Sequence, residues 1–154
     1  MNTNRLYLND NWIFFKKWSD ALTGASDKSG IQVRLPHAIR EIPLHYFNDN
    51  AGEALCGYQQ WLSIPRDWEG QSLLLTFEGV AYHYKVFVNG LQVADEKLGF
   101  TKITIDITDA VSFGSDNLIS VRVDSRRSSV LPYLGEEWNE LLMGGIYRDV
   151  YLDI

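Results

Sequence analysis

The strongest constraint on this chain is an alternation with a period of two residues. In TKITIDITDAV, Ile103, Ile105 and Ile107 fall on one side of an extended backbone, with Lys102, Thr104 and Asp106 on the other. In NLISVRVDS, Ile119, Val121 and Val123 oppose Ser120, Arg122 and Asp124. Such a pattern suits strands with one face in a core and one in solvent. In YHYKVFVNGLQVAD, β-favouring residues flank Asn89-Gly90, a pair that tolerates the positive φ of a type I′ turn, so a tight hairpin is predicted. Further strands are expected in NWIFFKKW, IQVRLP, GYQQWLSIP, SLLLTFEGV and the closing IYRDVYLDI, separated by turn-rich GASDKSG, PRDWEGQ and SFGSDN. No window carries an apolar stripe at helical spacing. Eight to ten short strands joined by turns indicate an all-β protein, a β-sandwich or jelly roll.

A chain of 154 residues is near the usual size of one domain and can close a core without a disulfide or structural metal. Its single cysteine, Cys56, excludes an internal disulfide and any multi-cysteine zinc site, and reads as a small buried hydrophobe. His37, His45 and His83 lack metal-ligand spacing, and neither a metal nor a cofactor is called for. His83 shares a strand face with Lys85 and is expected to be exposed, whereas His37, after Pro36, is expected to order a loop through backbone hydrogen bonds. A net charge of −6 with no basic stripe argues against nucleic acid. The start lacks the apolar run of a secretory signal, and no stretch is apolar enough to span a membrane, so a cytoplasmic location is the expectation. GASDKSG is no nucleophile elbow, and no glycine loop is built to cradle phosphate.

Two segments are long and poor in strand pattern: His37 to Cys56, HAIREIPLHYFNDNAGEALC, and Ser125 to Met143, SRRSSVLPYLGEEWNELLM. Long loops in small domains tend to carry function. Both mix aromatics with amides and carboxylates, a chemistry that suits sugars: a ring covers the apolar side of a pyranose and polar groups hold its hydroxyls. Tyr46, Phe47, Asn48 and Asp49 are candidates in the first. In the second, Glu136, Glu137 and Glu140 lie in an exposed acidic run that nothing desolvates, so they do not read as a catalytic pair.

The order of several motifs resembles the N-terminal sugar-binding domain of family 2 glycoside hydrolases, the β-galactosidase, β-glucuronidase and β-mannosidase group. LNDNWIFF resembles the family's opening, RLPH its Leu-Pro-His step, and GYQQWLSIP the place where the family writes Trp-Tyr-Arg-Arg-x-Phe-x-Val-Pro. LTFEGVAYHYKVFVNGLQVADEKLGFTKITIDITDAV, NLISVRVD and GGIYRDVYL follow in order, so the likeness covers nearly the whole chain.

The resemblance implies a jelly-roll β-sandwich, like galactose-binding domains, over residues 1–154. In the family, an immunoglobulin-like sandwich and a (β/α)₈ barrel follow. The barrel holds both glutamates of retaining hydrolysis, which work about 5–5.5 Å apart. This chain is therefore expected to hold no catalytic residue and to hydrolyse nothing alone. Its implied partners are a β-galactoside or related β-glycoside and the downstream domains, and a homo-oligomeric parent enzyme is compatible.

In β-galactosidase-like members an Asp of the second long loop enters the sugar site and helps hold a monovalent cation. Counting back six residues from Gly145 places Asn139 there, and an amide cannot supply charge to a cation. Glu137 or Glu140 takes the role if the loop is shifted by a residue or two. Trp138 and Tyr133 flank these groups as stacking candidates, against packing on a neighbouring domain. The Asn-Glu step in WNE resembles the family's acid/base motif by coincidence, since that motif belongs to the barrel. Two readings from other classes stand beside this one: a free-standing lectin-like module, and a purely structural packing domain. In the closing strand, Ile146, Val150, Leu152 and Ile154 share a face opposite Tyr147, Asp149, Tyr151 and Asp153. Arg148 has the apolar parity, so it needs a carboxylate partner or an exposed strand start.

Overall fold

The structure, a computed structural model, describes residues 4–38, 55–97, 101–126 and 144–154. Twelve strands occur among them: β1 (Arg5–Tyr7), β2 (Trp12–Phe15), β3 (Ile31–Val33), β4 (Leu55–Ile64), β5 (Leu74–Phe77), β6 (Val80–Ala81), β7 (His83–Val88), β8 (Leu91–Glu96), β9 (Ile103–Asp106), β10 (Ser115–Asp124), β11 (Gly145–Ile146) and β12 (Val150–Asp153). A four-stranded sheet runs β1-β12-β5-β9 and a six-stranded sheet β3-β2-β4-β10-β7-β8, with β11 and β6 forming a small third pair. Every pairing is antiparallel. The described helical pieces are three 3₁₀ turns of three or four residues. The all-β sandwich read from the alternation is the fold.

The core lies between the two main sheets. Trp12, Tyr58, Tyr84 and Val121 from the large sheet meet Leu75, Phe77, Val150 and Leu152 from the small one. Ile105 and Ile107 are buried and Lys102, Thr104 and Asp106 exposed, as the alternation required. The hairpin is also as expected. Asn89 and Gly90 have φ of 51° and 84°, and Val88 faces Leu91 across the turn. Asn89 does more than turn the chain. Its amide donates to Asn117 Oδ1 at 2.7 Å and Ala110 O at 3.1 Å, while its Oδ1 accepts from Leu118 N at 3.0 Å.

Three details differ from the sequence reading. First, β10 is not half-exposed: Ser120 and Asp124 are buried and Arg122 is half-buried. β10 lies between β4 and β7, and the segment around the 3₁₀ turn Asp20–Thr23 covers part of its outer face. Gln59 pins that segment down, donating from Nε2 to Leu22 O at 2.7 Å, Ala25 O at 2.8 Å and Ser120 Oγ at 3.2 Å. Second, the closing strand is broken. β11 pairs with β6, and β12 then joins the small sheet. Arg148 lies in the break and is exposed, so no guanidinium is stranded in the core. Third, Tyr151 is buried despite its outward parity, because Arg5 stacks 3.9 Å above its ring and Tyr7 packs edge-on. Arg5 also grips Asp153 with two hydrogen bonds, of 2.8 and 3.1 Å, which fastens β1 to β12.

Gly57 on β4 marks a close approach, since a Cβ there would lie 2.6 Å from Trp18 Cε3. Gly57→Ala is expected to push the indole off the sheet and destabilise the fold by about 1–3 kcal/mol. Thermal denaturation checks this, and an unchanged melting temperature would contradict the packing described.

Candidate functional site

Asn139, Trp138, Glu137, Glu140 and Tyr133 lie outside the described residues, as do His45, Tyr46, Phe47, Asn48 and Asp49. What the structure places is the four chain positions from which the two long segments depart and return. β4 and β10 form a ten-residue ladder that ends with Leu55 opposite Asp124, and Asp124 also faces His83 at the start of β7. Leu55 is where the first segment returns, and the second departs two residues beyond Asp124. His37 N donates to Ile146 O at 2.8 Å, which joins the start of the first segment to the return of the second. Gly145 faces Ala81, and Tyr82 N donates to Asp124 O at 3.3 Å. All four roots therefore sit at one end of the sandwich. Sequence reasoning named the two segments but had no means of bringing them together.

His37 anchors the first root. Its Nδ1 shares a 2.6 Å hydrogen bond with the Tyr58 hydroxyl, and its ring packs 4.8 Å from that of Phe14. Burial lowers the imidazole from its ordinary pKa and, as the largest cause, raises the Tyr58 hydroxyl. Both groups are thus held neutral. His37 makes a backbone hydrogen bond, as expected of it, and its ring makes a further one; the loop it was expected to order lies outside the described residues.

Asp124 anchors the second root. Burial by itself would raise its carboxyl. Arg126 outweighs that, donating from Nε at 2.9 Å, Nη2 at 2.8 Å and its backbone N–H at 3.1 Å, and holds the group below the usual carboxylate range. His83 is half-buried rather than exposed, because Asp95 on the neighbouring strand meets its Nε2 at 2.7 Å. Its predicted shared face with Lys85 is observed. Cys56 is fully buried and burial pushes its thiol up to about 12, which leaves it an inert core residue. Among the described residues no three His, Cys, Asp or Glu side chains group as metal ligands. No helix there is long and apolar enough to cross a membrane. The polar roots thus present a rim with neutral and ion-paired groups. It can carry loops, and no described group is arranged for acid–base or nucleophilic chemistry.

Comparison with known proteins gives a consistent picture. Residues 31–153 match the family model described as the glycosyl hydrolases family 2 sugar binding domain. The chain is 35% identical over 157 residues to a β-galactosidase of Thermoanaerobacter pseudethanolicus, matching 100% of this chain and 21% of that protein. It is 31% identical over 158 residues to a β-glucuronidase of Bacteroides fragilis, matching 96% of this chain and 20% of the relative. The crystal structure of a Bacteroides uniformis β-glucuronidase superposes with a TM-score of 0.81 at 25% identity, over 99% of this chain and 18% of that one. The chain thus spans about a fifth of the length of the curated relatives it matches.

The lowered imidazole of His37 has a consequence for stability. A neutral His37 is favoured in the folded chain, so its contribution is present above about pH 6.5, the unfolded value, and is lost as the pH falls through the lower folded value. Urea unfolding midpoints are expected to drop between pH 8 and 5, and His37→Gln should remove part of that drop.

Proposed function

This chain belongs to the sugar-binding domain of the family 2 glycosyl hydrolases, and we propose on that premise that it is the non-catalytic carbohydrate-binding domain of a retaining, β-galactosidase-like enzyme. In that enzyme it forms part of the rim of the active-site pocket, and domains outside this chain supply the two catalytic carboxylates. The observation that carries the reading is the convergence of all four loop roots at one end of the sandwich. Both segments with sugar-binding composition are thereby launched from the same place. The 35% identity to a β-galactosidase supports the galactoside reading, beside 31% identity to a β-glucuronidase.

The roles follow from chemistry. Asn139 offers both a donor and an acceptor to a sugar hydroxyl, with Glu137 or Glu140 as acceptors beside it. Trp138 and Tyr133 offer faces to the apolar side of the ring. With the catalytic carboxylates assigned to other domains, this chain's part is binding and positioning.

The test uses the full-length enzyme. Turnover is expected on a chromogenic β-galactoside well above that on the matching β-glucuronide, and the reverse ranking overturns the galactoside reading. Asn139→Ala and Trp138→Ala are each expected to reduce kcat/KM about tenfold or more, the loss of roughly 1.4 kcal/mol or more of binding. Unchanged kinetics in both variants would leave only a structural role. The 154-residue chain alone is expected to show no hydrolysis and no better than millimolar affinity for galactose, followed by tryptophan fluorescence. Micromolar affinity would instead favour a lectin.

A further inference from the structure

Lys85 and Arg122 stand out among the charges of this fold. Of the described lysines and arginines they are the two that are not exposed. They also stand directly opposite each other on β7 and β10. Opposed residues of an antiparallel pair share a face, here the outer face of the large sheet, and like charges so placed destabilise it. Three exposed arginines, Arg5, Arg34 and Arg126, hold carboxylates. Neither Lys85 nor Arg122 makes an ion pair among the described residues. The neighbouring carboxylates are committed elsewhere. Asp95, opposite Lys85 on β8, is bound to His83, and Asp124, whose charge Arg122 feels, is held through both oxygens by Arg126.

The other flank of Arg122 is aromatic. Arg122 faces Gly57 on β4, and the missing side chain there makes room for the Trp18 ring. That ring stacks on Phe87, the centroids 6.0 Å apart and the planes at 19°. The row across the sheet therefore reads indole, guanidinium, ammonium and then the Asp95 carboxylate, which His83 engages. An anion between the two cations relieves their repulsion, and the guanidinium presents a planar donor fork that matches a carboxylate. An apolar ring beside that anchor suits the apolar side of a pyranose. We propose that Lys85, Arg122 and Trp18 form a binding site for the carboxylate of an acidic saccharide on the outer face of the large sheet. The site uses none of the loop residues assigned above, so the two readings stand or fall separately.

The test is an NMR titration of the 154-residue chain with glucuronic acid, and with glucose and acetate as comparators at matched ionic strength. Saturable shifts in the millimolar range are expected at the amides of Gly57, Lys85 and Arg122 with glucuronate, and not with glucose. Arg122→Gln and Lys85→Gln should each weaken binding about tenfold. Glucuronate should also raise the melting temperature of the native chain but not of either variant. Melts without ligand show that the variants fold, and relief of the like-charge contact predicts melting at or above the native temperature. No saturable shift at this face overturns the proposal. So does an equal response to glucuronate and acetate, or native-like affinity in both variants.

Discussion

The structure depends on the antiparallel ladder between β4 and β10, ten residues on each side from Ser115 opposite Ile64 to Asp124 opposite Leu55. Its inner face carries Tyr58, Leu62, Ile119 and Val121 into the core, and a slip of one residue would turn that whole set toward solvent. β2 and β7 extend the sheet from this pair, so the register of the pair sets that of its neighbours. The outer face of the ladder is restrained as well. Gln59 spends its amide nitrogen on the carbonyls of Leu22 and Ala25, which lays the 3₁₀ segment over Ser120.

The end of this ladder is where function becomes possible. The Leu55–Asp124 step brings the return of one long segment beside the departure of the other, and the backbone bond from His37 to Ile146 brings together the remaining two roots. Burial keeps the His37–Tyr58 pair neutral, and Arg126 satisfies Asp124, so neither root buries an uncompensated charge. A rigid scaffold that launches loops from one edge is a common way for a β-sandwich to contribute to a binding pocket without supplying chemistry.

Much of this was legible in the chain. The isoleucines at 103, 105 and 107 and the Asn89-Gly90 turn announced their elements, because the signal was local: a two-residue period and a positive-φ pair. The order of motifs pointed to the family that residues 31–153 match. What misled was also local. Ser120 and Asp124 look like solvent-facing residues in a strand pattern, yet both are buried, and Tyr151 is buried on the face assigned to solvent. β1 escaped notice because Arg5-Leu6-Tyr7 is too short to show a period, and its place depends on Asp153 and Tyr151, at the far end of the chain. The loop residues proposed for sugar contact lie outside the described residues; their composition, the family resemblance and the convergence of the loop roots speak for them.

The sequence by itself determined that the chain is an all-β sandwich and which residues face its core, since alternation and turn chemistry act between near neighbours. It also carried the family likeness, in motifs spaced along one line. The tertiary structure alone decided which surfaces are covered, where the loops converge, and that Lys85 comes to stand opposite Arg122. Those facts depend on pairings between residues tens of positions apart, and no local preference encodes which strand will lie beside which.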